Sequence, residues 1–337
     1  MRLGLRSSDS RTALGKWCKR LNLVKLTDRR HVDSRPTAMH RHLWTLLVAL
    51  PATAAAQNAA GTALWRLVST TLAVPPALAT GAPAALWNPA QPDGAARFVL
   101  GVELLRTPPE LGVAGPLAAG RVQVRPLGAI GLVYGRLAID DLVRTSDSPE
   151  PAGGTVPYYT QVVGAHWVRA IGRATMGALL AHHDTRLDAA LVRRWTLDVG
   201  VRAPILTDAL EVGAATHFFS WSDAGDPAQD LYLGLAYRVP IGPLWEGSDR
   251  ATLWLRYGAA VAHGFGADQF LGAGMALGEV FAADVMVARE GGYAEEGWRP
   301  VGAMRLGVGR YRVSFARDAG TNGIGSAYRV GLEVRAP

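Results

Sequence analysis

From residue 98 onward the hydrophobic positions fall on every second residue. Trp195, Leu197, Val199 and Val201 alternate with Arg194, Thr196, Asp198, Gly200 and Arg202. The same period recurs over 231–239, 253–261, 304–308 and 328–334. Successive side chains of a strand point to opposite faces, so a period of two sorts each segment into an apolar side and a second side. Here the second side is glycine, alanine and arginine. A water-soluble sandwich or lipocalin-like barrel turns a polar face to solvent. A face of tiny residues set beside arginines reads instead as the lumen of a strand whose other side meets lipid. The segments near 128–140 and 160–170 alternate weakly.

The punctuation predicts a topology. Polar or Gly/Pro-rich stretches near 106–119, 144–157, 184–191, 221–229, 264–268, 290–299 and 317–326 are expected as long connections. Tighter reversals lie between them, near 126–128, 172–173, 204–208, 240–249, 278–279 and 309–310. Long and short connections taking turns is the contrast between extracellular loops and periplasmic turns. The expected fold is all-β: a transmembrane antiparallel β-barrel of about 14 strands, with both ends on one side. Tyr158, Tyr159, Trp195, Trp221, Trp245, Trp298, Tyr311 and Tyr328 sit near segment ends, as interfacial girdles require.

The region ahead of the strands differs in kind. Met39-His40-Arg41-His42, an apolar run over 43–50 and the small residues of 51–56 make a signal peptide with cleavage near Ala56. Residues 1–38 then read as an upstream extension, with translation starting at Met39. The charge supports that division. The net +7 comes from residues 1–38, which hold ten Lys/Arg and three Asp/Glu; from Gln57 on, 24 basic residues face 25 acidic ones. The basic balance therefore does not point to nucleic acid, which needs a clustered cationic face. Cys18 and all three lysines also precede residue 39, so nothing after it can form a disulfide. The resulting division is extension 1–38, signal 39–56, plug or hatch 57–95 and barrel 96–337. The expected location is the outer membrane of a Gram-negative-type bacterium.

Ala84-Ala85-Leu86-Trp87-Asn88-Pro89-Ala90 resembles the stretch before the first strand in PorV/PorQ-type proteins and, more distantly, in FadL/TodX-type transporters of hydrophobic compounds. Those families are 14-stranded outer-membrane barrels with a small N-terminal plug or hatch. The resemblance implies passive transport of a small, hydrophobic solute. PorV-like proteins imply an alternative, a non-conducting barrel serving protein secretion as shuttle or scaffold. The partners implied are outer-membrane lipid and either such a ligand or secreted proteins. Trp87, Asn88, Pro89 and Ala90 are the candidate hatch motif, structural or gating. Proline fixes φ and biases the residue before it, so Asn88-Pro89 initiates a turn.

No catalytic signature appears, and the chain is read as a non-enzyme with no cofactor and no metal. His182-His183-Asp184 invites a metal, but on a strand His182 and Asp184 share one side and His183 takes the other, too few ligands for a closed site. The cluster is expected at a loop edge. A hydrolase built on His217 and Ser220 is a third, remote reading. The period places Arg194, Asp198, Arg202, Arg238, Arg256, Arg305, Arg312, Arg329 and Glu333 toward the lumen. Such charges either brace the lumen as an ion-pair ladder or draw anions along it; the ladder is favoured because an unpaired buried charge is costly.

Overall fold

The computed structural model describes residues 62–91, 96–140, 142–143, 154–206, 208–220, 230–244, 250–262, 267–290, 297–320 and 325–337. The signal segment, the upstream extension, Trp221 and Trp245 lie outside the described residues. Fourteen antiparallel strands close into a barrel, each paired with its neighbours in sequence. They are β1 (Phe98–Arg106), β2 (Val113–Val124), β3 (Gly128–Ile139), β4 (Tyr158–Ile171), β5 (Ala174–Leu187), β6 (Ala190–Pro204) and β7 (Leu210–His217). The second half is β8 (Asp230–Pro243), β9 (Arg250–Ala262), β10 (Ala267–Leu277), β11 (Phe281–Arg289), β12 (Trp298–Val308), β13 (Tyr311–Asp318) and β14 (Ala327–Ala336). β1 and β14 close the ring in a register running from Phe98–Ala336 to Arg106–Tyr328. Closure leaves no unpaired strand edge, which hydrocarbon would not tolerate.

The alternation resolves into two surfaces. Leu104, Leu132, Leu255 and Val285 point outward and are 60%, 68%, 60% and 62% exposed. Leucine and valine repeated on the outer wall of every strand form a surface made for lipid. Trp195, Trp298 and Tyr328 project outward at the long-loop end, and Tyr311 and Trp167 at the short-turn end. Trp167 donates from Nε1 to the Leu127 carbonyl oxygen at 2.8 Å. Tyr159 lies outward beneath the guanidinium of Arg136, 4.3 Å from its ring centroid. Tyr158 departs from the expected girdle; even-numbered residues of β4 face inward, and it packs against the buried core.

Two other expectations change. The 184–191 stretch is not a long loop. β5 runs to Leu187 and β6 starts at Ala190, so His182-His183-Asp184 sits inside a strand rather than at a loop edge. Asp188 turns the chain with φ +54°, a left-handed conformation that aspartate tolerates without the glycine that would announce it. The 240–249 turn shortens, because β8 continues to Pro243 through an irregularity between Pro240 and Gly242.

β3 and β4 alternate weakly for a reason visible in the lumen. Their inward residues Val133, Leu137 and Val162 are buried and join one apolar cluster with Leu64, Trp65, Leu86 and Trp87. Those four belong to residues 62–91, which lie within the barrel. This plug comprises α1 (Thr62–Ser69) and three short 3-10 turns at Thr70–Leu72, Pro76–Leu78 and Ala82–Leu86. A lumen that must cover a helix and two tryptophans is apolar where they touch it, so both faces of β3 and β4 read hydrophobic.

Candidate functional site

The plugged lumen is where structure and chemistry meet, and its wall is shaped to the plug. Inward glycines stand at the closest approaches. A Cβ on Gly177 would lie 2.2 Å from the Pro89 carbonyl oxygen, on Gly200 2.1 Å from Asn88 Oδ1, and on Gly213 2.5 Å from the Ala77 carbonyl oxygen. A Cβ on Gly234 or Gly258 would lie 2.6 or 2.5 Å from Leu78 or Pro75 side-chain carbons, and one on Gly101 2.7 Å from the Pro83 ring. Any larger side chain at these places would occupy volume the plug already fills.

The candidate hatch motif, Trp87–Ala90, is packed between the rest of the segment and the barrel wall. Trp87, Asn88 and Ala90 are completely buried. The Asn88 side chain ties the segment to itself: Nδ2 donates to the Ala77 carbonyl oxygen at 2.5 Å, and Oδ1 accepts from the Ala90 backbone N–H at 2.8 Å. The Trp87 ring sits 6.3 Å from Trp65 and 5.3 Å from His217, centroid to centroid.

Polar anchors bind plug to wall around its circumference. The Arg66 guanidinium pairs with the Asp230 carboxylate of β8, with Nε 2.9 Å from Oδ2. Trp65 Nε1 donates to Thr160 Oγ1 on β4 at 3.2 Å. Thr70 Oγ1 donates to Asp318 Oδ2 on β13 at 2.8 Å, and the Ala82 backbone N–H donates to Glu333 Oε2 on β14 at 2.8 Å. Arg202 of β6 donates to the Ala79 carbonyl oxygen at 3.1 Å. Arg329 of β14 is the most heavily used. It donates to Thr71 Oγ1 at 3.0 Å and to the Val68 carbonyl oxygen at 2.8 Å, while pairing with Glu103 Oε2 at 3.0 Å.

The nine charges placed inward by the sequence pattern all lie on luminal positions of their strands, but they do not form one ladder. Arg202 pairs with Glu211 at 2.8 Å, Arg312 with Glu279 at 2.7 Å, and Arg256 with Asp284. Glu333 serves Arg335 at 2.7 Å as well as the plug. Asp198 accepts from the Phe219 backbone N–H at 3.1 Å, and the Arg194 guanidinium lies 5.4 Å from the Phe218 ring centroid. Arg238 and Arg305 have no carboxylate within 4.0 Å among the described residues.

Several anchors were not singled out from the sequence. Asp230, Glu103, Glu211 and Asp284 were legible in principle, because each alternates with the outward apolar residues of its strand. Asp230, for example, precedes the outward Leu231. Arg66 and Thr70 carried no such signal, since nothing in the 62–72 stretch indicates which way its helix faces.

The remaining candidates take structural places. His183 is buried facing inward, 3.0 Å from Thr196 Oγ1, while His182 faces outward with its ring 5.0 Å from that of Trp195. The described residues contain no group of three or more His, Cys, Asp or Glu placed to hold a metal ion. His217 is fully buried; Phe218 is stacked on it, the Tyr232 hydroxyl lies 3.2 Å from its Nδ1 and Asp230 lies 3.8 Å away.

No family model matches the chain, and no curated protein matches it. Solved structures similar to it are barrels. The toluene transporter TbuX of Ralstonia pickettii shares 13% identity at a TM-score of 0.48, covering 76% of this chain and 94% of TbuX. The toluene transporter TodX of P. putida shares 13% at 0.45, covering 75% and 92%. The outer membrane protein Omp33 of Acinetobacter baumannii shares 8% at 0.40, covering 71% and 98%. The 14-stranded architecture of this chain rests on its own strand pairing, which closes without reference to them.

Below the plug, toward the short-turn end, the lumen keeps a cavity of about 640 Å³ bordered by Leu78, Thr80, Trp254 and a set of charged side chains. A second space of about 90 Å³ lies between the plug and β12–β14. The arrangement can retain water and solute on one side of a barrier made by the chain itself.

Proposed function

We propose that the protein is an outer-membrane barrel that passes a small solute by diffusion, with residues 62–91 as the barrier that must shift. The short-turn end would face the periplasm and the long loops the exterior. One observation carries this reading. A barrel wider than about eight strands is not filled by its wall side chains, and this one keeps about 640 Å³ of charge-lined space under a separate segment. That segment is held by hydrogen bonds and ion pairs from five strands, β4, β6, β8, β13 and β14, contacts that exchange with water when it moves.

A second reading, the PorV-like shuttle or scaffold, has its own support. Trp65, Leu86 and Trp87 are completely buried, which suits a fixed stopper. Planar-bilayer recording of the purified barrel separates the two. Passage predicts discrete conductance or solute uptake that rises when plug anchors are removed. A barrel silent in wild type and in every anchor variant, and carrying secreted proteins through purification, would replace passage with the scaffold. Membrane fractionation with a gel shift on boiling tests the location. A soluble, unshifted protein would refute both readings.

A further inference from the structure

The short-turn cavity has an unbalanced charge. Four carboxylates border it, and each already has an arginine: Asp208 with Arg173, Glu211 with Arg202, Asp284 with Arg256 and Glu279 with Arg312. Arg335, also on the cavity, is paired with Glu333. Arg238 and Arg305 line the same space and have no carboxylate within 4.0 Å among the described residues. Arg305 stands in the field of Asp284 and Glu333 but also of Arg312 and Arg335, so its surroundings offer no surplus negative charge. Arg238 is exposed to the cavity from β8.

The residue beside Arg238 is as informative as the charge. Trp254 on β9 is its direct cross-strand partner, with its side chain inward and half-buried. Arg256, two positions along the same face, places its guanidinium 5.3 Å from the Trp254 ring centroid. Every other tryptophan described on a strand points outward; this one lines the charged cavity, flanked by two cations. An indole face accepts a flat apolar body, and a free guanidinium accepts a carboxylate through a two-pronged hydrogen bond. Each arginine already committed to a carboxylate is a poorer donor to a second one.

We propose that this cavity is a binding site for a small aromatic carboxylate, with the acid group on Arg238 and the ring against Trp254, and Arg305 as a second cation on the far wall. This names the solute class of the passage reading and rests on it for its role, but the binding stands independently of passage. A neutral aromatic would gain the Trp254 contact alone, and a small aliphatic acid the Arg238 contact alone.

The test is calorimetric titration of the purified full chain in detergent micelles with benzoate, benzyl alcohol and acetate. Benzoate is expected to bind about tenfold or more tightly than either of the others, the difference a charged hydrogen bond makes. Arg238→Gln should cost benzoate that advantage and leave benzyl alcohol unchanged, in a variant that still shifts on boiling. Trp254→Leu should bring benzoate down toward acetate. Equal affinity for benzoate and benzyl alcohol in the unmodified protein would overturn the proposal without any variant, as would benzoate binding that survives Arg238→Gln. Benzoate binding in a barrel that passes no solute would keep the site and end the passage reading. Solute passage with no benzoate binding would do the reverse.

Discussion

Arg66 is the plug residue whose removal has the most calculable effect. Its partner Asp230 has a side chain only 1% exposed, while the guanidinium is 21% exposed. Arg66→Ala leaves that carboxylate enclosed without its cation for as long as the plug stays seated. Breaking a buried pair in this way costs roughly 3–5 kcal/mol. The lower end, about 3 kcal/mol, applies here, because the Tyr232 hydroxyl remains within 3.4 Å of Asp230 Oδ2. The penalty falls on the seated state, since Asp230 is rehydrated when the plug withdraws. At about 1.4 kcal/mol per factor of ten, the unseated population rises roughly 100-fold. Removing both partners, as Arg66→Met with Asp230→Leu, exchanges the pair for apolar packing and should cost far less. The chain after Cys18 has no cysteine, so with Cys18→Ser a single Val68→Cys on α1, at a site 2% exposed, reports seating by its rate of maleimide labelling. The expected order is slow in the parent, about 100-fold faster with Arg66→Ala, and near the parent in the double replacement. Labelling with Arg66→Ala within twofold of the parent would refute the view that this ion pair holds the plug. So would a double replacement as fast as the single.

Three further perturbations probe separate contacts. Gly200→Val places side-chain atoms where Asn88 Oδ1 lies 2.1 Å from the Cβ position; overpacking of this kind costs about 1–3 kcal/mol, so the 88–90 segment should become protease-sensitive while the barrel keeps its boiling shift. Trp87→Ala empties a fully buried indole site and should destabilise the folded barrel by about 3–5 kcal/mol, read as a lower denaturant midpoint in lipid or detergent; an unchanged midpoint would show that the plug adds nothing to barrel stability. Leu132→Arg sets a cation on the lipid face of β3 and should cost about 2–4 kcal/mol in folding into vesicles, whereas the same replacement made in a soluble barrel's solvated face would be nearly neutral.

The sequence spoke clearly where one physical rule acted alone. On β6, β8, β9, β12 and β14 the outer face is apolar and the inner face mostly small or charged, even where it meets the plug, so a period of two exposes strand, face and topology together. It spoke less clearly where a second demand was laid over the first. β3 and β4 carry apolar residues on both faces because their lumen side packs on Trp65 and its neighbours, and their alternation is diluted to that extent. The β5–β6 hairpin was hidden for a local reason, a left-handed aspartate doing the work that glycine usually signals. The lumen charges were legible by parity, but their partners were not. Whether Arg329 faces Glu103 or stands free depends on how strands far apart in sequence are juxtaposed and on where the plug backbone passes, and neither is written in any single segment.

The plug and wall also explain each other's composition. Glycines on β1 and on β5–β9 make a poor strand by intrinsic preference, since they offer no side chain to pack. Gly101, Gly177, Gly200, Gly213, Gly234 and Gly258 become intelligible once a backbone or side chain of residues 75–90 is seen at each Cβ position. The same holds for polarity. Val68, Ala77 and Ala79 present carbonyl oxygens that α1 and the short 3-10 turns leave available, and the lumen or the plug itself supplies Arg329, Asn88 and Arg202 to meet them. An irregular segment at membrane depth is tolerable only where its backbone is satisfied by protein or water. The arginines of the upper lumen are therefore occupied in making the plug possible. Arg202 does the same from the lower lumen, where Arg256 and Arg312 are taken by carboxylates; Arg238 and Arg305 have neither task among the described residues, and that surplus positive charge beside Trp254 is the ground for the proposed ligand.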